Sequence, residues 1–185
     1  MSPVEILAVA LGIANIVLLV RRSIWNYPFG IATVLLQGWL FVEGKLYSDA
    51  LLQLFFVVLN VYGWLNWSRA RTNDAGVPVR WMGAQPFMAS AMIAGMATLA
   101  WGTLMHRHTD AAYPYWDGSV AMMSVLAQAL LARRFVDNWI WWIIVDLAAV
   151  PLYWAKGLHL IAALYVLNLA LSVAGLIEWR RKVRG

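Results

Sequence analysis

The sequence predicts an all-α integral membrane protein: seven transmembrane helices in a single domain, arranged as two parallel three-helix repeats joined by a linker helix (3+1+3). Three observations predict it. Of 185 residues, 63% are hydrophobic and only 12% are charged, about half the charged share of a soluble domain. Seven apolar runs are each long enough for a hydrocarbon core about 30 Å thick, which takes roughly 20 residues of helix. Finally, a shift of 112 positions lays residues 4–67 on 116–179 without a gap.

Span 1 (4–20) ends at Arg21–Arg22 and carries a lone Asn15, read as an interhelical hydrogen bond. It has no basic leading region and no A-x-A-like cleavage site, so it is not a signal peptide. Span 2 (24–42) opens with Trp25–Asn–Tyr–Pro–Phe–Gly–Ile31. There Trp25 and Tyr27 suit the headgroup level, Asn26 an N-cap, and Pro28 the first turn, where its missing N–H costs nothing. Span 3 (47–67) places Gln53, Asn60 and Trp64 on one face at i, i+7 and i+11, with Asp49 extending it outward.

Span 4 (85–104) is the linker; Met82, Met88, Met92, Met96, Met105, Met122 and Met123 read as packing. Span 5 (116–132) aligns Ser124 with Gln128, and Asp117 stands above them. Span 6 (137–155) carries Trp142, Asp146 and Tyr153 at i, i+4 and i+11. Span 7 (158–179) carries Tyr165, Asn168 and Ser172 at i, i+3 and i+7. The domain is thus 1–185, with repeats 4–67 and 116–179 around the linker helix 85–104.

The repeat rests on polar matches, since leucine coincidences are expected in so apolar a chain. Fifteen of the 64 aligned pairs are identical, among them Arg21–Arg22 with Arg133–Arg134, Asn26 with Asn138, Gly63 with Gly175 and Trp67 with Trp179. An odd linker restores the starting side, so the units run parallel, an arrangement found in transporters with a midplane site between repeats.

Seven spans sort every loop to one side or the other. Eleven of the fourteen basic residues fall after spans 1, 3, 5 and 7, against Lys45, Arg107 and Lys156 opposite. The positive-inside rule then sets the N-terminus outside and the C-terminus in the cytoplasm. It also assigns the +5 net charge to topology, which excludes a nucleic-acid surface. With no Cys there is no disulfide or thiolate site. His106, His108 and His159 lie at span edges without a catalytic pairing, so no catalytic residue, metal or cofactor is expected and the chain is not read as an enzyme. Span 7 has no lysine, which excludes a retinal protein.

Polar groups in hydrocarbon are costly, so their common depth is informative. Amides, hydroxyls, aromatics and one carboxylate, Asp146, meet near the middle of four spans. That chemistry suits a small, flat, hydroxyl-bearing solute. A midplane carboxylate is usually functional, binding substrate or carrying a proton, and its structural alternative is a pairing that holds helices together. Pro28 and Pro151 offer bending points for alternating access.

These residues carry a resemblance. Trp25–Ile31, the run Lys45–Leu–Tyr–Ser–Asp–Ala–Leu–Leu–Gln53, and Tyr62–Gly–Trp–Leu–Asn–Trp67 resemble the PnuC family of bacterial vitamin transporters. So do Asn138–Trp139, Trp142, Asp146, Pro151–Leu–Tyr153, Lys156–Gly157 and Tyr165 in the second unit. The resemblance covers about 20–70 and 116–179. It implies a fold like that of a full-length SWEET sugar transporter in the bacterial inner membrane. It further implies uptake of nicotinamide riboside by facilitated diffusion, with trapping by a cytoplasmic kinase. Thiamine and riboflavin are alternative cargoes within the family, and proton-coupled symport through Asp146 is an alternative mechanism. The substrate-binding residues it implies are Gln53, Asn60, Trp64, Gln128, Trp142, Asp146, Tyr165 and Asn168; Asn60 and Asn168 rest more on depth and face than on motif. No basic residue stands at this level to hold a phosphate, so the expected cargo is unphosphorylated. The expected partners are that vitamin, the kinase and the lipid bilayer, and a homo-oligomer is left open.

Overall fold

The computed structural model describes residues 3–43, 47–70, 77–109, 113–157 and 159–184. They form seven helices: α1 (Pro3–Val20), α2 (Asn26–Glu43), α3 (Tyr47–Ala70), α4 (Ala84–His108), α5 (Pro114–Ala132), α6 (Asn138–Ala155) and α7 (His159–Arg184). All seven expected spans are present, with shifted ends. Helix α7 runs on through Arg180–Arg184, since Arg and Lys are good helix formers and nothing there breaks the ladder. Helix α2 starts at Asn26 because Arg22 is left-handed (φ 55°) and turns the chain. By length and hydropathy alone, α4 and residues Ile161–Val183 of α7 suffice to cross a membrane. Residues Ile6–Val20 of α1 form a shorter apolar stretch, and α3 and α5 carry polar groups turned inward, Gln53, Asn60 and Gln128, all buried.

Helix α2 packs between α1 and α3, and α6 between α5 and α7. The two groups meet where α3 touches α5 and α1 touches α7. Helix α4 packs on α5, closely enough that a methyl on Gly102 would lie 2.5 Å from the Tyr115 ring. Small residues permit such approach between membrane helices. Met88, Met92 and Met96, expected in packing, are instead 60–66% exposed along α4. Lipid is as apolar as a core, so an outward methionine costs nothing there.

One end of the bundle is built from bonds that recur 112 positions apart. Trp67 Nε1 donates to the Leu131 carbonyl at 3.2 Å, and Trp179 Nε1 to the Leu19 carbonyl at 3.3 Å. Tyr27 meets Trp67 edge-on at 5.3 Å, as Trp139 meets Trp179 at 5.5 Å. Arg22 and Arg134 are both left-handed, with φ of 55° and 68°. The Asn26 side chain is not an N-cap acceptor. Its Nδ2 donates to the Ser23 carbonyl at 2.6 Å, and Asn138 does the same to Phe135 at 2.6 Å. Each amide thus closes the turn before its helix and leaves the helix's own first N–H groups untouched.

Residues 77–82 lie across this end as a strap. Val77 is buried among Leu19, Tyr27, Trp67, Leu131, Trp139 and Trp179. The Val77 carbonyl accepts from Arg22 Nη1 at 3.2 Å. Arg80 pairs with the 134–136 backbone (N to Arg134 O, 3.1 Å; O from Val136 N, 2.9 Å), and Met82 N donates to Asp137 Oδ2 at 2.8 Å. The basic loops after α1, α3 and α5 therefore converge on one end. At the other, Lys156 and Asp117 form an ion pair at 2.6 Å.

The seam makes a prediction. A methyl on Gly63 would lie 2.6 Å from Tyr27, and one on Gly175 would lie 2.5 Å from Trp139, whereas Gly12 leaves 3.6 Å to Thr33. Gly63→Ala and Gly175→Ala should each destabilise by about 1–3 kcal/mol through overpacking. Gly12→Ala should be neutral or stabilising, because alanine favours helix. Unfolding of the detergent-solubilised protein reads all three; equal behaviour would contradict the packing described.

Candidate functional site

The polar residues separate into two clusters. In the first, the Asn60 side chain is buried on α3. Its Nδ2 donates to the Phe56 carbonyl of its own helix at 2.8 Å, which fixes the amide plane and turns Oδ1 outward. That oxygen accepts from Gln128 Nε2 of α5 at 3.2 Å, linking the two helix groups. The Asn60 and Asn15 oxygens both face the Gly30 backbone, 3.0 and 3.2 Å from where a methyl there would sit. Gln53, two turns from Asn60 and also buried, lies against Gly38, and its Oε1 has no hydrogen-bond partner among the described residues.

The second cluster is aromatic and acidic. Asp146 is 2% exposed, and its Oδ2 accepts from Ser172 of α7 at 3.0 Å. Among the described residues no cation lies within ion-pair distance of it. Tyr153 and Tyr165 stack at 5.2 Å with their planes 16° apart. Trp142 is half-buried and packs against all three apolar clusters of the fold, at the junction of α5 and α6. Lys156 is 5.7 Å from the Tyr153 ring and holds Asp117. Pro151 gives the Leu147 carbonyl no N–H, and Trp116 Nε1 donates to the next carbonyl, Ala148, at 3.0 Å.

Of the eight predicted residues, Asn60 and Gln128 touch. Asp146, Trp142 and Tyr165 belong to the second cluster, and Gln53 is buried along the α2–α3 seam. Asn168 is half-buried, one turn before Ser172. Trp64 departs from expectation: it is 40% exposed, while Gln53 and Asn60 on the same face are 7% and 5%. At about 100° per residue, the buried Asn60, Trp67 and Gly63 fall to one side of Gln53 and Trp64 falls about 20° to the other, off the edge of the buried stripe. Ser124 is buried but donates to the Val120 carbonyl of its own helix at 2.7 Å. The Asp49 side chain lies outside the described residues. Sequence reasoning missed Gly30, whose role is to be small, and the Asp146–Ser172 and Asp117–Lys156 pairs, which join different helices. No group of three potential metal ligands occurs among the described residues.

Residues 2–181 match the family model described as nicotinamide mononucleotide transporter. The chain belongs to that family. Its known members transport rather than catalyse, and they are membrane proteins. Over all of this chain and 87% of the other, it is 26% identical to the nicotinamide riboside transporter PnuC of Escherichia coli. It is 29% identical to the riboflavin/roseoflavin transporter RibM of Streptomyces davaonensis, over 91% of this chain and 80% of that one. The fold is similar to the crystal structure of the vitamin B3 transporter PnuC, with a TM-score of 0.80 and 26% identity over 96% of this chain and 80% of that one. The seven-helix, all-α membrane architecture read from the sequence is thereby established.

The Asn60–Gln128 bond generates a test. A double-mutant cycle of Asn60→Ala and Gln128→Ala, read by unfolding in detergent, should give a coupling of about 0.5–1.5 kcal/mol, the range for interhelical polar pairs. Zero coupling would contradict the contact.

Proposed function

We propose that this transporter takes up nicotinamide riboside by facilitated diffusion, with Gln53, Asn60, Gln128, Trp142, Asp146, Tyr165 and Asn168 as its binding residues. One observation carries the reading. Amides of α3 and α5 hydrogen-bond across the two helix groups, the second group carries stacked aromatics and a buried carboxylate, Asp146, and no described cation lies within ion-pair distance of that carboxylate. A pyridinium riboside matches both halves: its flat cationic ring favours aromatic faces and a carboxylate, and its hydroxyls and carboxamide favour amides. The relatives named for nicotinamide riboside support the same cargo.

The helix groups act as repeats 4–67 and 116–179, with 85–104 as linker. This is supported by the hydrogen bonds and edge-on aromatic pairs that recur at 112-residue spacing. The basic end faces the cytoplasm of the bacterial cell and the N-terminus lies outside, as the positive-inside rule requires. Trp67, Trp179 and the Val77 strap seal that end, so this conformation is closed to the cytoplasm. Transport then means rocking the groups until the two indole bonds break, while a kinase in the cytoplasm phosphorylates the riboside and makes uptake one-way.

A second reading, riboflavin, is favoured by the 29% identity to a riboflavin/roseoflavin transporter. Titration calorimetry of the purified protein with nicotinamide riboside, thiamine and riboflavin separates the cargoes. Nicotinamide riboside should bind, and Trp142→Ala should weaken it about tenfold or more, as loss of a buried aromatic contact does. Riboflavin or thiamine binding alone would overturn the assignment. In liposomes, uptake that rises with an imposed pH gradient and loses that response in Asp146→Asn would replace uniport with proton coupling.

A further inference from the structure

The two helix groups differ in character at positions 112 apart along the α2–α3 and α6–α7 seams. Gly30 and Gly38 of α2 stand where α6 has Trp142 and Val150. Gln53 and Asn60 of α3 stand where α7 has Tyr165 and Ser172. The first seam is therefore amide lined on a glycine floor, and the second puts two aromatics, Trp142 and Tyr165, at the matching positions. Gly30 brings two amide oxygens, Asn15 Oδ1 and Asn60 Oδ1, against bare backbone. Asn60 Oδ1 is engaged by Gln128. Asn15 Oδ1 and Gln53 Oε1 are both buried and lack a hydrogen-bond partner among the described residues.

An interhelical tie would satisfy the group it buries, because an unpaired buried acceptor is destabilising. Two such acceptors, Asn15 Oδ1 of α1 against Gly30 and Gln53 Oε1 of α3 beside Gly38, have the opposite character: each lacks a donor among the described residues. We propose that Asn15 and Gly30 are specificity-determining residues of the binding site, with Asn15 Oδ1 accepting a hydrogen bond from a neutral N–H or O–H of the bound solute. Gly30 supplies the space, since any side chain there meets both oxygens. The second seam, with Trp142 in the place of Gly30, holds the ring. The cargo is thus oriented, its donors toward α1–α3 and its flat face toward α6–α7. This inference rests on the riboside reading above and adds which half reads which part of the molecule.

The donor has two sources, the carboxamide N–H and a ribose O–H. The test titrates wild type, Asn15→Leu, Asn15→Asp and Gly30→Ala with nicotinamide riboside, nicotinic acid riboside and a 3′-deoxy analogue, and records ligand-free melting of each. Asn15→Leu removes the acceptor at similar volume and should weaken nicotinamide riboside about tenfold or more, the loss of one buried hydrogen bond. Its ligand-free melting temperature should hold or rise, because an unpaired buried carbonyl is replaced by a hydrocarbon. A merely structural Asn15 would give the reverse, a lower melting temperature with unchanged affinity, and would overturn the proposal. Asn15→Asp keeps the acceptor oxygens and should bind within about threefold of wild type, while Gly30→Ala should weaken every ligand. If wild type but not Asn15→Leu discriminates against nicotinic acid riboside, the amide is the donor; if it discriminates against the deoxy analogue, the hydroxyl is. Unchanged affinity in both Asn15→Leu and Gly30→Ala overturns the proposal alone. Failure of wild type to bind any riboside overturns it together with the riboside reading.

Discussion

Two indole N–H groups, on Trp67 and Trp179, reach across the seam between the helix groups and donate to the backbone carbonyls of Leu131 and Leu19. Both indoles are fully buried, with no water to turn to, and both carbonyls belong to the last turns of α5 and α1, where each accepts a backbone N–H from three residues on, Arg134 or Arg22 at 2.8 Å, and has a second lone pair for the indole. Seating the two indoles explains much of what surrounds them. Gly63 and Gly175 are small so that Tyr27 and Trp139 can lie flat against the third helix of each group. Arg22 and Arg134 turn left-handed so that the chain can re-enter as α2 and α6. Val77 fills the space that remains.

With that end fixed, the middle of the bundle can be polar. Asn60 and Gln128 span α3 and α5, the helices that meet across the seam, while Asp146 and Ser172 span α6 and α7 within one group. In the rocking motion proposed above, the first bond would break and re-form and the second would travel as a unit. A carrier needs both kinds of contact: a rigid half-site that keeps its shape and a cross-seam bond that reports closure.

Much of this was legible in the sequence. Span number, helix order and the buried depth of Gln53, Asn60, Gln128 and Asp146 follow from hydropathy and helical periodicity, because lipid enforces both strictly. The 112-residue register sets Trp67 opposite Trp179, and their indoles make corresponding bonds. Four things were not legible. The exposure of Trp64 depends on the exact rotation of α3, which a stripe spaced at i, i+7 and i+11 does not resolve. The outward Met88, Met92 and Met96 face a solvent as apolar as a core, so composition does not distinguish the two. The Asn26 side chain donates backward to Ser23 instead of capping forward, a choice set by the left-handed turn at Arg22. Gly30 gave no signal, since its contribution is the side chain that it lacks.

As proposed, the transporter carries a riboside passively through a site closed alternately at its two ends. Counterflow in proteoliposomes tests it most directly. Vesicles preloaded with unlabelled nicotinamide riboside should draw in labelled riboside transiently, and without preloading the labelled solute should rise only to equal concentrations on both sides, with or without an ion gradient. Accumulation above the outside concentration in the absence of any internal trap would contradict the account.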